Sequence, residues 1–267
     1  MASLFFPQLS SGAIAQYPIR KTRLFRTIKN VLPSGDMILL PDAAARRLVW
    51  QLAYSALSSS DLQLLTSLFA ACAGTLRSFT FIDPTDNMLA FSTNLQAPVW
   101  STSPQIVVRG GAPDPYGGTT AFVLTNNGQA VQTITQTLNV PAAYQYCFSI
   151  YAMSSASAQI VLSRQGSAAQ AEATIPISSA WNRIAGAGVL NDLGTKLTVG
   201  VQLAPGQQVT VYGPQLEAQI APSRYRPTAQ KGGVYATAHW GLDQFPVTAQ
   251  APNLFATEFS IETAIED

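Results

Sequence analysis

Apolar positions change period within a short stretch at residues 60–82. Leu62, Leu65, Leu68, Phe69 and Cys72 recur at three- and four-residue spacing, the single apolar face of a helix. Ser60, three residues before Gln63, fits an N-cap with a capping box, so the helix is predicted over 61–73. Gly74 supplies a left-handed C-terminal stop. Phe79 and Phe81 then alternate with Ser78 and Thr80, a strand that ends at an Asp83-Pro84 turn. Upstream, Leu48, Trp50, Leu52 and Tyr54 alternate with Val49, Gln51 and Ala53, predicting a strand over 46–56 with Trp50 in the core. Residues 37–40 predict a short buried strand between turns at Pro33-Ser34-Gly35-Asp36 and Pro41-Asp42. Residues 20–31 predict another strand, and residues 1–19, broken by Pro7, Gly12 and Pro18, an extended arm anchored by Phe5, Phe6 and Tyr17.

Beyond the Asp83-Pro84 turn the pattern changes. Short alternating runs recur at 105–109, 120–125, 131–138, 145–153, 158–164, 171–177, 182–189, 197–203 and 208–213. Turn signals such as Asn127-Gly128 and Pro205-Gly206 separate them, and no helical period intervenes. Strands at this spacing predict a β-sandwich, most simply a jelly roll. From Lys231 the N-terminal pattern returns with strands over 235–240 and 254–265, the latter placing Phe255, Thr257, Phe259 and Ile261 on one face. A strand that regular needs a sheet to join, and the unfinished sheet is the N-terminal one. The fold class is therefore mainly β: a small β-rich domain with one helix, 1–91 and 230–267, interrupted by a jelly-roll β-sandwich, 92–229.

Composition sharpens this picture. Charged residues make up 11% of the 267 residues, against about 25% in an average soluble protein. Only ten lie between 94 and 228. A chain so poor in charge suits a large assembly in which subunit contacts guard against aggregation. The net charge of +1 predicts no general affinity for nucleic acid and no sequence-specific binding to it. The one dense charge cluster is Arg20, Lys21, Arg23, Arg26 and Lys29, whose natural counterpart is the acidic end at Glu258, Glu262 and Glu266. These are the candidate subunit-interface residues. Cys72 and Cys147, far apart and outside any CxxC, read as reduced buried residues. The apolar start lacks a positive leader and no apolar run reaches 18 residues, so neither a signal peptide nor membrane insertion is expected.

The chemistry expected of an enzyme is missing. With one histidine, His239, a Ser-His-Asp triad or a His-based metal site has little to draw on, and no GxSxG, HExxH, P-loop or GxGxxG occurs. Paired carboxylates for glycoside hydrolysis would have to come from Asp114, Glu172, Asp192 and Glu217; Asp114 and Asp192 sit in turns and Glu217 in the motif that ends the sandwich. Asp114 or Asp192 could contribute to a calcium site, but no ligand cluster is visible around either. No catalytic residue, metal or cofactor is predicted. Sugar binding needs an aromatic ring flanked by polar side chains. The candidates are Trp100, Tyr116, Tyr144 and Tyr146, while Trp181 and Tyr212 read as packing residues of the sandwich.

Two parts of the chain resemble known families. The segments FPQLSSGAIAQYP and RRLVWQLAYSALSSSDLQLLTSLFAACAGTLRSFTFIDPTDN, with the closing FPVTAQAPNLFATEFSIETA, are similar to phage distal tail proteins, a tail-tip ring family also found in gene transfer agents. In that family a variable element follows the DP turn, where this insertion begins. The middle resembles carbohydrate-binding-module-like sandwiches of phage tail proteins, through Asn94-Leu95, Trp100, DPYGGTTA at 114–121, QYCFSIYAM at 145–153, Trp181-Asn182-Arg183 and VYGPQLEAQIAPSRYRPT at 211–228. The resemblance implies a structural virion protein at the tail tip or baseplate, assembled in the host cytoplasm. The small domain would form a homo-oligomeric, hexameric ring joining the tail tube protein to the hub, with the sandwich outward as a candidate for host surface polysaccharide. The alternative it implies is a receptor- or glycan-binding tail module whose small domain is only a mount.

Overall fold

The computed structural model describes residues 4–265. The first stretch forms β1 (Arg20–Val31), β2 (Met37–Leu57), α1 (Ser59–Cys72) and β3 (Phe79–Ile82). The middle forms β4 (Ser101–Thr102), β5 (Ile106–Ala112), β6 (Ala121–Asn126), β7 (Gln132–Leu138), β8 (Tyr146–Met153), β9 (Ala158–Gln165), β10 (Gln170–Ile177), β11 (Asn182–Gly188), β12 (Leu197–Leu203) and β13 (Gln208–Glu217). The return forms β14 (Val234–Trp240), β15 (Thr248–Ala251) and β16 (Leu254–Ala264). Among the described residues α1 is the only α-helix, and the mainly β class with a two-sheet sandwich is what the alternation predicts. All nine middle runs are strands, β5 to β13, with ends within a few residues of those expected. The two-residue β4 and the short β15 carry too little pattern to be read.

Two compact units result: residues up to Phe81 with those from Tyr235 on, and Ile82–Val234. The second starts at 82 rather than 92 because the segment after the turn bonds into the sandwich. Asn87 Nδ2 donates to Pro214 O at 3.0 Å, and its Oδ1 accepts from Leu216 N at 3.1 Å. Gln136 exchanges two bonds with the backbone of Ala90. The unit also ends later, at 234, since Asp83 N donates to Gly233 O and Gly233 N to Asn87 O. Entry and exit thus run side by side. The approach is so close that a Cβ on Gly232 would stand 2.1 Å from Met88 O.

In the first unit the sheet order is β1-β2-β16-β14-β3, with β15 on β16. Phe259 and Ile261 of β16 are buried, as their alternation requires, and Phe6 of the arm packs edge-on to Phe81 at 5.3 Å. Trp50 is fully buried between Phe81 at 5.0 Å and Tyr235 at 4.8 Å. The helix begins two residues earlier than expected. Ser58, not Ser60, is the N-cap: its hydroxyl accepts from Asp61 N and donates to Asp61 Oδ2. Burial would raise the Asp61 carboxyl, but bonds from Ser10 N, Ser10 Oγ and Ser58 Oγ together outweigh it and hold it below the usual range. The helix stops at Ala73, itself left-handed at φ 52°, before Gly74.

The predicted turn at Pro41-Asp42 does not exist. β2 runs unbroken through it, paired with β1 as far as Val31↔Met37. Proline is tolerated because this part of β2 has a neighbour on one side only, so its missing N–H costs no ladder bond. Residues 37–40, expected to be buried, are exposed: among the described residues no second layer covers them.

The second unit packs two five-stranded antiparallel sheets, β10-β9-β12-β7-β4 and β11-β8-β13-β6-β5. Tyr146, Phe148, Ile150 and Ala152 alternate on one face of β8 and are all buried. Tyr151 and Met153, of the other parity, are half-buried on the outer face. Cys72 and Cys147 are buried free thiols, and burial is the main cause pushing Cys147 up to about 11.

Candidate functional sites

The first site is a ribbon. Ala264↔Arg47 is the last register pair between β16 and β2, and Ile265 N still donates to Arg46 O. Beyond it, β1 and β2 continue as a two-stranded hairpin closed by a turn in which Gly35 takes φ 89°. Opposed pairs share a face, so Ile28 with Leu40 lie on one side and Val31 with Met37 on the other. All four are exposed, as are Phe25 at 67% and Leu39 at 56%. The outer edge of β1 is the edge of the sheet, and β2 has no second neighbour along this length among the described residues. A free two-stranded hairpin in water is marginal, and unpaired edges with apolar faces invite another chain.

The candidate interface residues divide around it. Arg23 and Lys29 face Leu48 and Leu39 in register, Arg26 pairs with Asp42 across the ribbon, and Arg20 stands opposite Gln51. Lys21 Nζ lies 5.6 Å from the centroid of Trp50. Glu258 and Glu262 lie on β16, opposite Ala53 and Val49, and Glu262 is 3.6 Å from Arg47. Glu266 lies outside the described residues. Within the subunit β2 separates the basic strand from the acidic one, so the structure does not bring the two sets together.

The second site is an aromatic patch on the sandwich. Asp114 organises the loop that carries Tyr116. Its carboxylate accepts from Tyr116 N at 2.9 Å, Gly118 N at 3.1 Å, Thr120 N at 3.2 Å and Thr120 Oγ1 at 2.8 Å. The Thr120 hydroxyl, then the Tyr116 amide and the other donors, hold the Asp114 carboxyl below the usual range. Tyr116, 67% exposed, meets Tyr151 edge-on at 6.0 Å and Tyr212 at 5.9 Å, with its hydroxyl 2.9 Å from that of Tyr151. The Arg183 guanidinium lies 5.4 Å from the Tyr151 centroid and donates to Ser149 Oγ and Ser223 O. The result is a fixed aromatic surface with hydroxyls at its rim, suited to stacking a planar or pyranose face.

Of the four predicted sugar-binding aromatics, Tyr116 alone presents itself this way. Trp100 is 7% exposed and donates its Nε1–H to Phe91 O. Tyr146 is 1% exposed and donates its hydroxyl to Pro141 O. Both rings serve packing. Tyr144 is half-buried and stacks on Tyr146 at 6.3 Å. Tyr151 and Tyr212, which complete the patch, follow from strand parity: Tyr151 alternates against the buried face of β8, and Tyr212 is its register partner. His239 Nδ1 lies 3.0 Å from Thr75 O. Among the described residues no three His, Cys, Asp or Glu side chains group as a metal site, and no helix is long and apolar enough to cross a membrane.

No protein-family model and no curated protein matches the chain. Among solved structures, it is similar to the enzymatically active domain of bacteriophage CBA120 tailspike protein 4, at 14% identity and TM-score 0.40, covering 51% of this chain and 22% of that one. It is similar to the CBM22-1 xylan-binding domain of Paenibacillus barcinonensis Xyn10C, at 15% identity and TM-score 0.42, covering 51% and 97%. A third is TmCBM61 in complex with β-1,4-galactotriose, at 16% identity and TM-score 0.36, covering 49% and 97%.

Proposed function

We propose that this chain is a structural subunit of a phage tail or tail-like particle, whose first unit assembles into a ring between tail tube and hub and whose sandwich contacts host surface glycans. The observation that carries it is the ribbon: two open strand edges and two apolar faces on a hairpin that its own sheet does not cover. A second copy offers the missing neighbours, since the outer edge of β1 can pair with the bare edge of β2 at residues 37–45 in the next subunit. Such head-to-tail pairing uses two different edges and closes into a ring when the rotation fits, with six copies as the expected number. No catalytic role is assigned to the chain, and its place is the virion tail tip. Labelling the chain in intact particles tests the reading. Label at the tail tip, with the purified chain forming a discrete oligomer in light scattering, is the expected outcome. A chain that is monomeric at all concentrations and absent from the tip would defeat it.

A second reading makes the sandwich a host-binding module and the first unit only its mount. It is favoured by Tyr116, a ring both exposed and rigidly held. Glycan binding by a chain that stays monomeric, and that particles can lose without losing the tail tip, would support that reading over the ring.

A further inference from the structure

We infer that a groove along edge strand β5 of the sandwich binds an acidic oligosaccharide, with Arg109 as the residue that reads its charge. The inference rests on the glycan-contact part of the proposed function and gives it a second surface and a ligand class. The groove, about 730 Å³, is lined by Asn94, Gln96, Arg109, Gly110, Thr119 and Phe122 among others. It is open to solvent along its length rather than enclosed.

The sequence builds this groove by leaving side chains out. β5 carries Gly110 and Gly111 in succession, and the register with β6 slips between Gly110 and Ala112. Gly111 takes φ 88° at the bulge, a conformation that favours glycine. A Cβ on Gly110 would stand 3.2 Å from the Phe122 ring and 3.8 Å from Gln96 Oε1. Glycine in a strand marks a place where another group can approach the backbone closely. The amides beside it are fixed: Gln96 Nε2 donates to Val108 O at 3.1 Å, and Asn94 Oδ1 accepts from Gln96 N at 3.0 Å. The Phe122 ring is buried beneath the strand, so the oriented amides and threonine hydroxyls are what the groove offers to a sugar's hydroxyls.

Arg109 selects among sugars. It is exposed, and no carboxylate lines the groove. Asp114, the acid nearest along the chain, is occupied by its own loop's four donors. A guanidinium with no acidic partner among the described residues, in a groove of neutral groups, matches a carboxylate or sulfate on the ligand through its planar fork. One cation makes no phosphate track, which separates this site from a nucleic-acid surface.

The test titrates the full chain, by calorimetry and amide NMR, with trigalacturonate, a sialyllactose, a sulfated trisaccharide and a neutral trigalactoside. At least one acidic sugar should bind ten times or more tighter than the neutral one, shifting the amides of Gly110, Gly111, Asn94 and Gln96. Arg109→Gln, at an exposed position, should keep the melting temperature and lose roughly tenfold or more of that affinity. Equal binding of neutral and acidic sugars, unchanged affinity in Arg109→Gln, or no binding of any acidic sugar would overturn the inference. Binding that shifts Tyr116 and Tyr151, and is lost in Tyr116→Ala but not in Arg109→Gln, would overturn it while leaving the aromatic patch standing. No binding of any sugar would remove both glycan sites and leave the ring untouched.

Discussion

Asp114 accepts the backbone N–H of Tyr116 at 2.9 Å, so a buried carboxylate sets the position of an exposed ring two residues away. The aromatic patch depends on that bond and on the other donors that close around the same carboxylate.

The dependence has a pH signature. Thr120 and the loop amides hold the Asp114 carboxyl below its ordinary value. The loop's stabilisation is therefore complete above the ordinary aspartate range, near about 4, and is lost as pH falls through the lower folded value. Tyrosine fluorescence or ring NMR of Tyr116 should stay constant from pH 7 to about 4 and change only below that. Asp114→Asn should bring the low-pH behaviour to neutral pH. Release of the loop already near pH 6 would contradict this.

The helix start gives a sharper prediction than sequence alone. Ser58 Oγ both accepts from Asp61 N and donates to Asp61 Oδ2. Ser58→Ala should destabilise the first unit by about 1 kcal/mol, as cap losses do, and Ser60→Ala by about 0.3 kcal/mol or less. Urea denaturation followed through hydrogen exchange of the α1 amides measures both. Equal losses would return the cap to Ser60.

The ribbon separates assembly from folding. Phe25→Glu with Leu39→Glu alters exposed positions, so the fold should lose no more than about 0.5 kcal/mol while the oligomer dissociates. Arg23→Glu with Arg26→Glu should weaken assembly and lower its salt tolerance. Arg26 already has Asp42 as a partner in its own ribbon, so the greater part of the effect falls on Arg23. Oligomer size by light scattering across salt concentrations reads both pairs, and unchanged size in either would count against the ribbon as the contact.

Much of this fold was legible because most strands have one wet face. Alternation located β5 to β13 and the buried face of β16. The ribbon was not legible, for a physical reason. Met37 and Leu39 carry the hydrophobicity of a core, and reading them as buried assumes that the covering partner is the chain itself. Pro41 misled in the same way, since proline signals a turn unless the strand is bare on one side. Of the sugar-binding aromatics, composition could not separate Tyr116 from Trp100. What distinguishes them is tertiary: Trp100 spends its N–H on Phe91 O, whereas the Asp114 loop leaves Tyr116 exposed against Tyr151 and Tyr212. Tyr151 was readable from the parity of 146–153, whereas Arg183 needed the register of β11 against β8.

The most direct test of the ring is an electron cryomicroscopy reconstruction of the purified full chain at tens of micromolar. The account predicts a closed ring, with β1 of each copy alongside residues 37–45 of the next and the apolar faces of the ribbon covered. Monomers with the ribbon free at every concentration, or a ring in which the ribbon touches no neighbour, would contradict it.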